Sequence, residues 1–256
     1  MKVLDLIVKE SCAVSATSVR MVLTAHDTLP NMQPGQFVEL RIDDTPGVLL
    51  RRPISIHDYN KESNTLALLV QRVGKGTAWL CSRQAGDVVN AVLPLGNGFT
   101  LPSEGAPCSP LLIGGGVGVA PLLFLGRELC RRGIVPTFLL GARTSKELLC
   151  KDLFESVGTV YVTTELGDEG VKGFVTHHPV LSEGDFNAVY VCGPKPMMQA
   201  VATMARAGEV WCEVSLENRM ACGIGACLCC VEDTHLGNVC VCKEGPVFNI
   251  DRLKWT

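Results

Sequence analysis

Over the first hundred residues, apolar and polar positions alternate in short runs at 3–8, 19–24, 36–41, 49–57, 65–73 and 87–92. A period of two marks strands with one buried face. Turn formers separate the runs, as in Asn31-Met-Gln-Pro-Gly35 and Asp43-Asp-Thr-Pro-Gly47. Short strands so spaced predict an antiparallel barrel or sandwich over residues 1–100. One short helix is expected after Gly76, with Thr77 and Leu80 in its first turns.

The segment Leu101-Pro-Ser-Glu-Gly-Ala-Pro-Cys-Ser-Pro110 reads as a linker, after which the rhythm changes. Apolar strand candidates at 111–113, 134–140, 159–163, 188–192 and 210–214 alternate with helical stretches at 121–132, 146–156 and 197–206. This succession predicts a Rossmann-like, mostly parallel sheet with helices on its faces over 101–213. Residues 214–256 remain as a small cysteine-rich segment, so the fold class is β followed by α/β.

Composition narrows the function. A formal net charge of −3 over 256 residues gives no electrostatic case for a nucleic-acid partner. The first ten residues alternate like a strand and lack the apolar run and cleavage site of a signal peptide. The most apolar stretch, 110–125, is too short and too rich in glycine to span a bilayer. A cytoplasmic chain without membrane insertion is expected. Of thirteen cysteines, seven are scattered from Cys12 to Cys212 and six crowd between Cys222 and Cys242. That clustering favours metal ligation in a reducing compartment over a disulfide scaffold.

The crowded run is Cys222-Gly-Ile-Gly-Ala-Cys227-Leu-Cys-Cys230, with Cys242 twelve positions further on. Its C-x4-C-x2-C…C spacing is that of a plant-type [2Fe–2S] site, where four thiolates hold two irons. Gly223 and Gly225 let the backbone turn tightly, and small Ala226 leaves room for amides to approach sulfur. Sulfur sites also hold zinc, although zinc knuckles favour two residues between ligands. Cys229 and Cys240 compete as ligands, Cys240 being the harder to set aside.

Two glycine-bearing loops suggest a nucleotide. Gly114-Gly115-Gly116-Val117-Gly118-Val-Ala-Pro121 follows an apolar strand and precedes a helix, where a pyrophosphate can approach bare backbone and free amides. It is not the usual dinucleotide fingerprint, and tight strand–helix packing explains it as well. Cys192-Gly193-Pro-Lys-Pro-Met-Met198 occupies a similar place at a strand end. There it could close a nicotinamide site, with Cys192 lining the pocket rather than acting as a nucleophile. Arg143 could reach the adenosine ribose or phosphate, or stand in solvent.

Together these pieces resemble the electron-transfer subunits of heteromeric, NAD-linked dihydroorotate dehydrogenases, within the ferredoxin-reductase-like flavoproteins. The resemblance runs over nearly the whole chain. It implies that Arg52-Pro53-Ile54-Ser55 is a flavin strand, with Arg52 on the FAD pyrophosphate and Ser55 near the isoalloxazine. It implies further FAD contacts from Leu69-Val70-Gln71 and from Gly76 and Thr77, and matches Gly96-Asn-Gly-Phe99 to a signature at the barrel's end. Gly114, Gly115, Gly116, Gly118, Cys192 and Gly193 fall on the nicotinamide side, and Cys222, Cys227, Cys230 and Cys242 on the cluster ligands. The same resemblance implies FAD and a [2Fe–2S] cluster as cofactors and NAD as substrate. It implies an FMN-containing catalytic subunit as partner, in a heterotetramer with two copies of each. No residue is assigned as a general acid or base. A subunit of a ferredoxin:NADP, hydrogenase or glutamate-synthase-like complex, or a redox sensor, would carry similar motifs.

Overall fold

Alternation in the first hundred residues closes into a six-stranded antiparallel barrel. Its strands are β1 (Lys2–Ala13), β2 (Ser18–Thr24), β3 (Phe37–Leu40), β4 (Arg52–Asn60), β5 (Thr65–Gln71) and β6 (Val88–Leu95), in the order β1-β2-β5-β4-β3-β6. Helix α1 (Lys75–Cys81) follows β5. The inward-facing set, including Leu6, Met21, Leu23, Leu40, Ile56 and Leu68, is wholly buried. This computed structural model describes residues 1–103 and 105–255. Glu104 and Thr256, which fall in the expected linker and tail, lie outside the described residues.

Beyond the linker the chain enters a seven-stranded sheet. Its elements are β7 (Pro110–Gly115), α2 (Ala120–Arg131), β8 (Thr137–Ala142), α3 (Lys151–Glu155), β9 (Thr159–Thr164), β10 (Val171–Lys172), α4 (Val180–Glu183), β11 (Ala188–Cys192), α5 (Lys195–Ala207) and β12 (Trp211–Ser215). The sheet order is β10-β9-β8-β7-β11-β12-β15, where β15 (Val247–Asn249) is the last strand. Every pairing but the last is parallel; β15 runs antiparallel to β12, with Ser215 opposite Val247. Between those two strands the chain makes a hairpin, β13 (Val231–Thr234) with β14 (Gly237–Cys240), and the short helix α6 (Val241–Glu244). Among the described residues no helix is long and apolar enough to cross a membrane.

Helix α2 joins the two halves. Leu122, Leu123, Leu125 and Leu129 pack beneath the sheet, while Phe124 enters the barrel cluster and meets Tyr59 edge-on at 6.1 Å. Arg127 forms an ion pair with Asp58. Nδ1 of His57 lies 2.8 Å from the Ala120 carbonyl, which only accepts, so Nδ1 carries the proton. Nε2 has no partner in a side chain that is 0% exposed. Burial pushes this imidazole down to about 4; the Ala120 bond opposes the shift, and Arg20 and Arg127 add to it.

A histidine neutral in the fold but protonated in the unfolded chain binds fewer protons when native. Stability therefore falls as pH drops from about 6.5 towards about 4. Between pH 7.5 and 5.0 the wild type should lose about 2 kcal/mol more than His57→Gln in chemical denaturation. Parallel losses would show that another group carries the acid sensitivity.

Candidate functional site

The start of β4 places Arg52 beside the first turn of α1. A Cβ built on Gly76 would lie 2.7 Å from Arg52 Nε, so only glycine lets the guanidinium settle against this turn. Arg52 Nη1 donates to the carbonyls of Leu50 and Arg51 at 2.8 and 3.1 Å. Thr77 Oγ1 accepts from the amides of Val73 and Gly74 at 2.9 and 3.1 Å, drawing the loop into the helix. First-turn amides have no intrahelical acceptors. Beside them, the Nε edge of a fixed guanidinium makes a cradle for phosphate oxygens, which fits the pyrophosphate of FAD.

Pro53, Ile54 and Ser55 are half-buried along the same strand. Leu69 and Val70 turn their side chains into the two hydrophobic cores, so only their backbone is available to a cofactor. Gln71 reaches a cleft of about 640 Å³ between barrel and sheet.

Ser18 and Gln71 form part of the barrel wall of that cleft, and Gly115 and Gly116 belong to its opposite wall. Gly116, at φ +56°, faces open space. Gly114 and Gly118 serve packing. A Cβ on Gly114 would stand 2.7 Å from Val119 Cγ1, and one on Gly118 would stand 2.5 Å from Gly193 Cα. Cys192 is buried behind the loop, its thiol 3.9 Å from Glu217 Oε1. Burial pushes that thiol well above the usual range, and the Glu217 charge adds to the effect, so Cys192 is no nucleophile. Arg143 is exposed and lies at the cleft.

The cluster segment sits on the barrel. Asn97 donates from its backbone to the Gly245 carbonyl at 2.6 Å and from its side chain to the Lys243 carbonyl at 3.0 Å. Gly96, at φ +74°, lies against Pro246, where a Cβ would come within 2.6 Å of the ring. The Gly96–Phe99 signature is thus the seat of the cysteine-rich segment. The twelve-residue gap before Cys242 is the β13–β14 hairpin, which pairs Val231 with Cys240 and leads Val241 N to the Cys230 carbonyl at 2.9 Å.

In that segment the thiols associate two by two. Cys222 lies near Cys227, and Cys230 near Cys242. Gly225 N donates to Cys242 Sγ at 3.1 Å, and Cys242 N donates to Cys230 Sγ at 3.3 Å. Burial pushes the Cys222 thiol up, but the amides of Ile224, Ala226 and Cys227 and the Cys227 thiol outweigh it, bringing it down to about 6. Among the described residues, no three metal-binding side chains converge on one ion position. Four thiols in two pairs, with amides aimed at sulfur, suit a two-iron centre better than a single zinc. Cys229 points to solvent, and the Cys240 thiol faces the Gly225 carbonyl at 3.9 Å.

Sequence reasoning missed Glu39. It is 1% exposed on β3, opposite Pro53, and neither carboxylate oxygen has a partner. A Cβ on Gly223 would lie 2.7 Å from its Cγ, so the turn after Cys222 rests directly on this side chain. Burial pushes the carboxyl up to about 7 against the pull of Arg51, and charge on Cys222 adds to the rise. No local pattern signals a glutamate whose neighbours arrive almost two hundred residues later.

A closed flavin barrel, a nucleotide-binding sheet and a cysteine-rich iron–sulfur segment on one chain define an electron-transferring oxidoreductase of the ferredoxin-reductase-like flavoprotein class. Residues 112–203 match the oxidoreductase NAD-binding domain, and 217–254 match the iron–sulfur cluster binding domain of dihydroorotate dehydrogenase B. The chain belongs to the family of electron-transfer subunits of NAD(+)-linked dihydroorotate dehydrogenase B. It is 41% identical to that subunit of Desulforamulus reducens, covering 99% of both chains, and 37% identical to that of Shouchella clausii, covering 96% of both. A solved NADH-dependent reduced ferredoxin-NADP oxidoreductase, described in connection with flavin-based electron bifurcation, superposes with a TM-score of 0.87 at 29% identity. That match covers 98% of this chain and 90% of the other.

Proposed function

We propose that this chain holds FAD on its barrel, a [2Fe–2S] cluster within residues 222–242 and NAD in the cleft, and serves an FMN-containing subunit that oxidises dihydroorotate. The assembly is a cytoplasmic heterotetramer with two copies of each subunit. The observation that carries the reading is the contact of Gly223 with Glu39, whose strand pairs directly with the flavin strand at Pro53. Cluster turn and flavin strand are neighbours within one packed body, as short-range electron transfer requires.

When bound, FAD joins the two-electron hydride chemistry of nicotinamide to the one-electron chemistry of an iron–sulfur centre. The residues of the chain bind and orient. Arg52, Gly76 and Thr77 form the pyrophosphate cradle, and Pro53, Ile54, Ser55 and Gln71 border the isoalloxazine, with Leu69 and Val70 supporting it through their backbone. Gly115 and Gly116 admit the nicotinamide half of NAD, while Gly114, Gly118, Cys192 and Gly193 hold that loop in shape. Cys222 with Cys227, and Cys230 with Cys242, supply the cluster thiolates. No side chain is assigned as acid or base for the hydride step itself, which moves no separate proton.

Anaerobic reconstitution with the FMN subunit tests the proposal. Dihydroorotate should reduce NAD⁺, with FAD and about two irons per copy of this chain. Activity confined to NADP or to ferredoxin would overturn the partner and the nucleotide.

A further inference from the structure

The outer end of the cleft carries chemistry that the flavin and nicotinamide do not use. Arg143 directly follows β8, and Glu165 directly follows β9. Backbone bonds continue the pairing there: Glu165 N donates to the Ala142 carbonyl and Leu166 N to the Arg143 carbonyl, each at 3.1 Å. Glu147 lines the same end from the loop after β8. Asp168 fixes that loop by accepting from Ser145 N at 3.0 Å and from Ser145 Oγ at 2.8 Å. None of the ion pairs among the described residues includes Arg143, Glu147 or Glu165.

Two further observations point to a ligand. Thr163, one turn of the pleat before Glu165, is 0% exposed and lines the cleft, yet its Oγ1 has no partner. A buried hydroxyl left unpaired costs free energy unless something polar meets it. Phe174, at the same end, is 60% exposed, a face wide enough to stack a planar base. An unpaired hydroxyl, a bare aromatic ring and carboxylates with free acceptor oxygens match an adenosine with its ribose diol.

We infer that Glu165, with Glu147, is the specificity-determining pair that makes this cleft take NAD rather than NADP, by accepting from the ribose hydroxyls and repelling a 2′-phosphate. The inference rests on the proposed nucleotide site. A simple Rossmann reading would seek the ribose acid at the end of the strand next to the glycine loop. Here that place holds Arg143, an arginine that could invite a 2′-phosphate. Two carboxylates share its surroundings, so a phosphate dianion would meet net negative charge.

The test uses the FAD- and cluster-loaded chain in complex with its FMN subunit, titrated calorimetrically with ADP-ribose and with 2′-phospho-ADP-ribose. The wild type should prefer ADP-ribose by at least about 20-fold, and added salt should narrow the gap. Glu165→Gln should cut the preference about fivefold. The Glu147→Gln, Glu165→Gln double variant should bring it near parity, chiefly by tightening the phosphorylated probe. Tight ADP-ribose binding with a ratio unmoved in both variants would overturn the assignment and leave the nucleotide site standing. Binding of neither probe to wild type would remove the nucleotide site and the inference together.

Discussion

Cys242→Ser should leave the chain with almost no iron, against about two atoms per copy in the wild type, and without the visible absorbance of the cluster. Cys242 is buried, receives the Gly225 amide at its sulfur and pairs with Cys230. Serine there offers a poor ligand and leaves the Cys230 half of the site with one thiolate. Cys240→Ser is the control. Its thiol faces a carbonyl rather than amides, so iron and acid-labile sulfide should stay within about a fifth of wild type, within the spread of such assays on one site. The reverse pattern, with Cys240 essential and Cys242 dispensable, would reassign the fourth ligand. Because the assay counts iron rather than turnover, it does not depend on the partner subunit.

The second large effect is expected on the flavin. Arg52→Ala should weaken FAD binding by about 100-fold, since a charge-assisted, two-pronged contact to phosphate is lost from a preformed cradle. Arg52→Lys should recover only about tenfold of this, because an ammonium supplies the charge without the fork. Gly76→Val should resemble the alanine variant although it removes no charge. Its side chain would occupy the space where Arg52 Nε lies 2.7 Å from the ideal Cβ position. Fluorescence titration of the flavin-free protein measures all three. Affinities within about threefold of wild type would show that Arg52 does not hold the pyrophosphate.

Much of this architecture was legible because it is written in local pattern. Period-two runs located all six barrel strands, and the alternation after residue 110 located the central strands of the sheet. The errors have physical causes. The strand expected at 49–57 begins at Arg52, because Leu49 and Leu50 continue the apolar run while standing 94% and 50% exposed. The helix expected over 146–156 contracts to Lys151–Glu155, preceded by a short tight turn at Ser145–Glu147. Cys150 between them adopts φ +55°, which a continuous helix excludes. Strands β10 and β13 to β15 have two to four residues each, too few to establish a period. The cysteine spacing pointed to the segment that matches the iron–sulfur cluster binding domain, whereas the division of labour among the loop glycines needed coordinates. Gly114 and Gly118 are packed against neighbours, and Gly116 faces the cleft. The surroundings of Glu39, and the placing of Arg143 and Glu165 at the ends of adjacent strands, arise only when separate segments meet.

The cysteine-bearing stretch is rooted at both ends in the same sheet, where Ser215 and Val247 lie side by side on adjacent strands. It therefore cannot swing between donor and acceptor as a tethered carrier would. A metal centre held there would be a stationary relay, so passage of charge within the subunit should be indifferent to solvent viscosity, and whatever exchanges electrons with it must come to it.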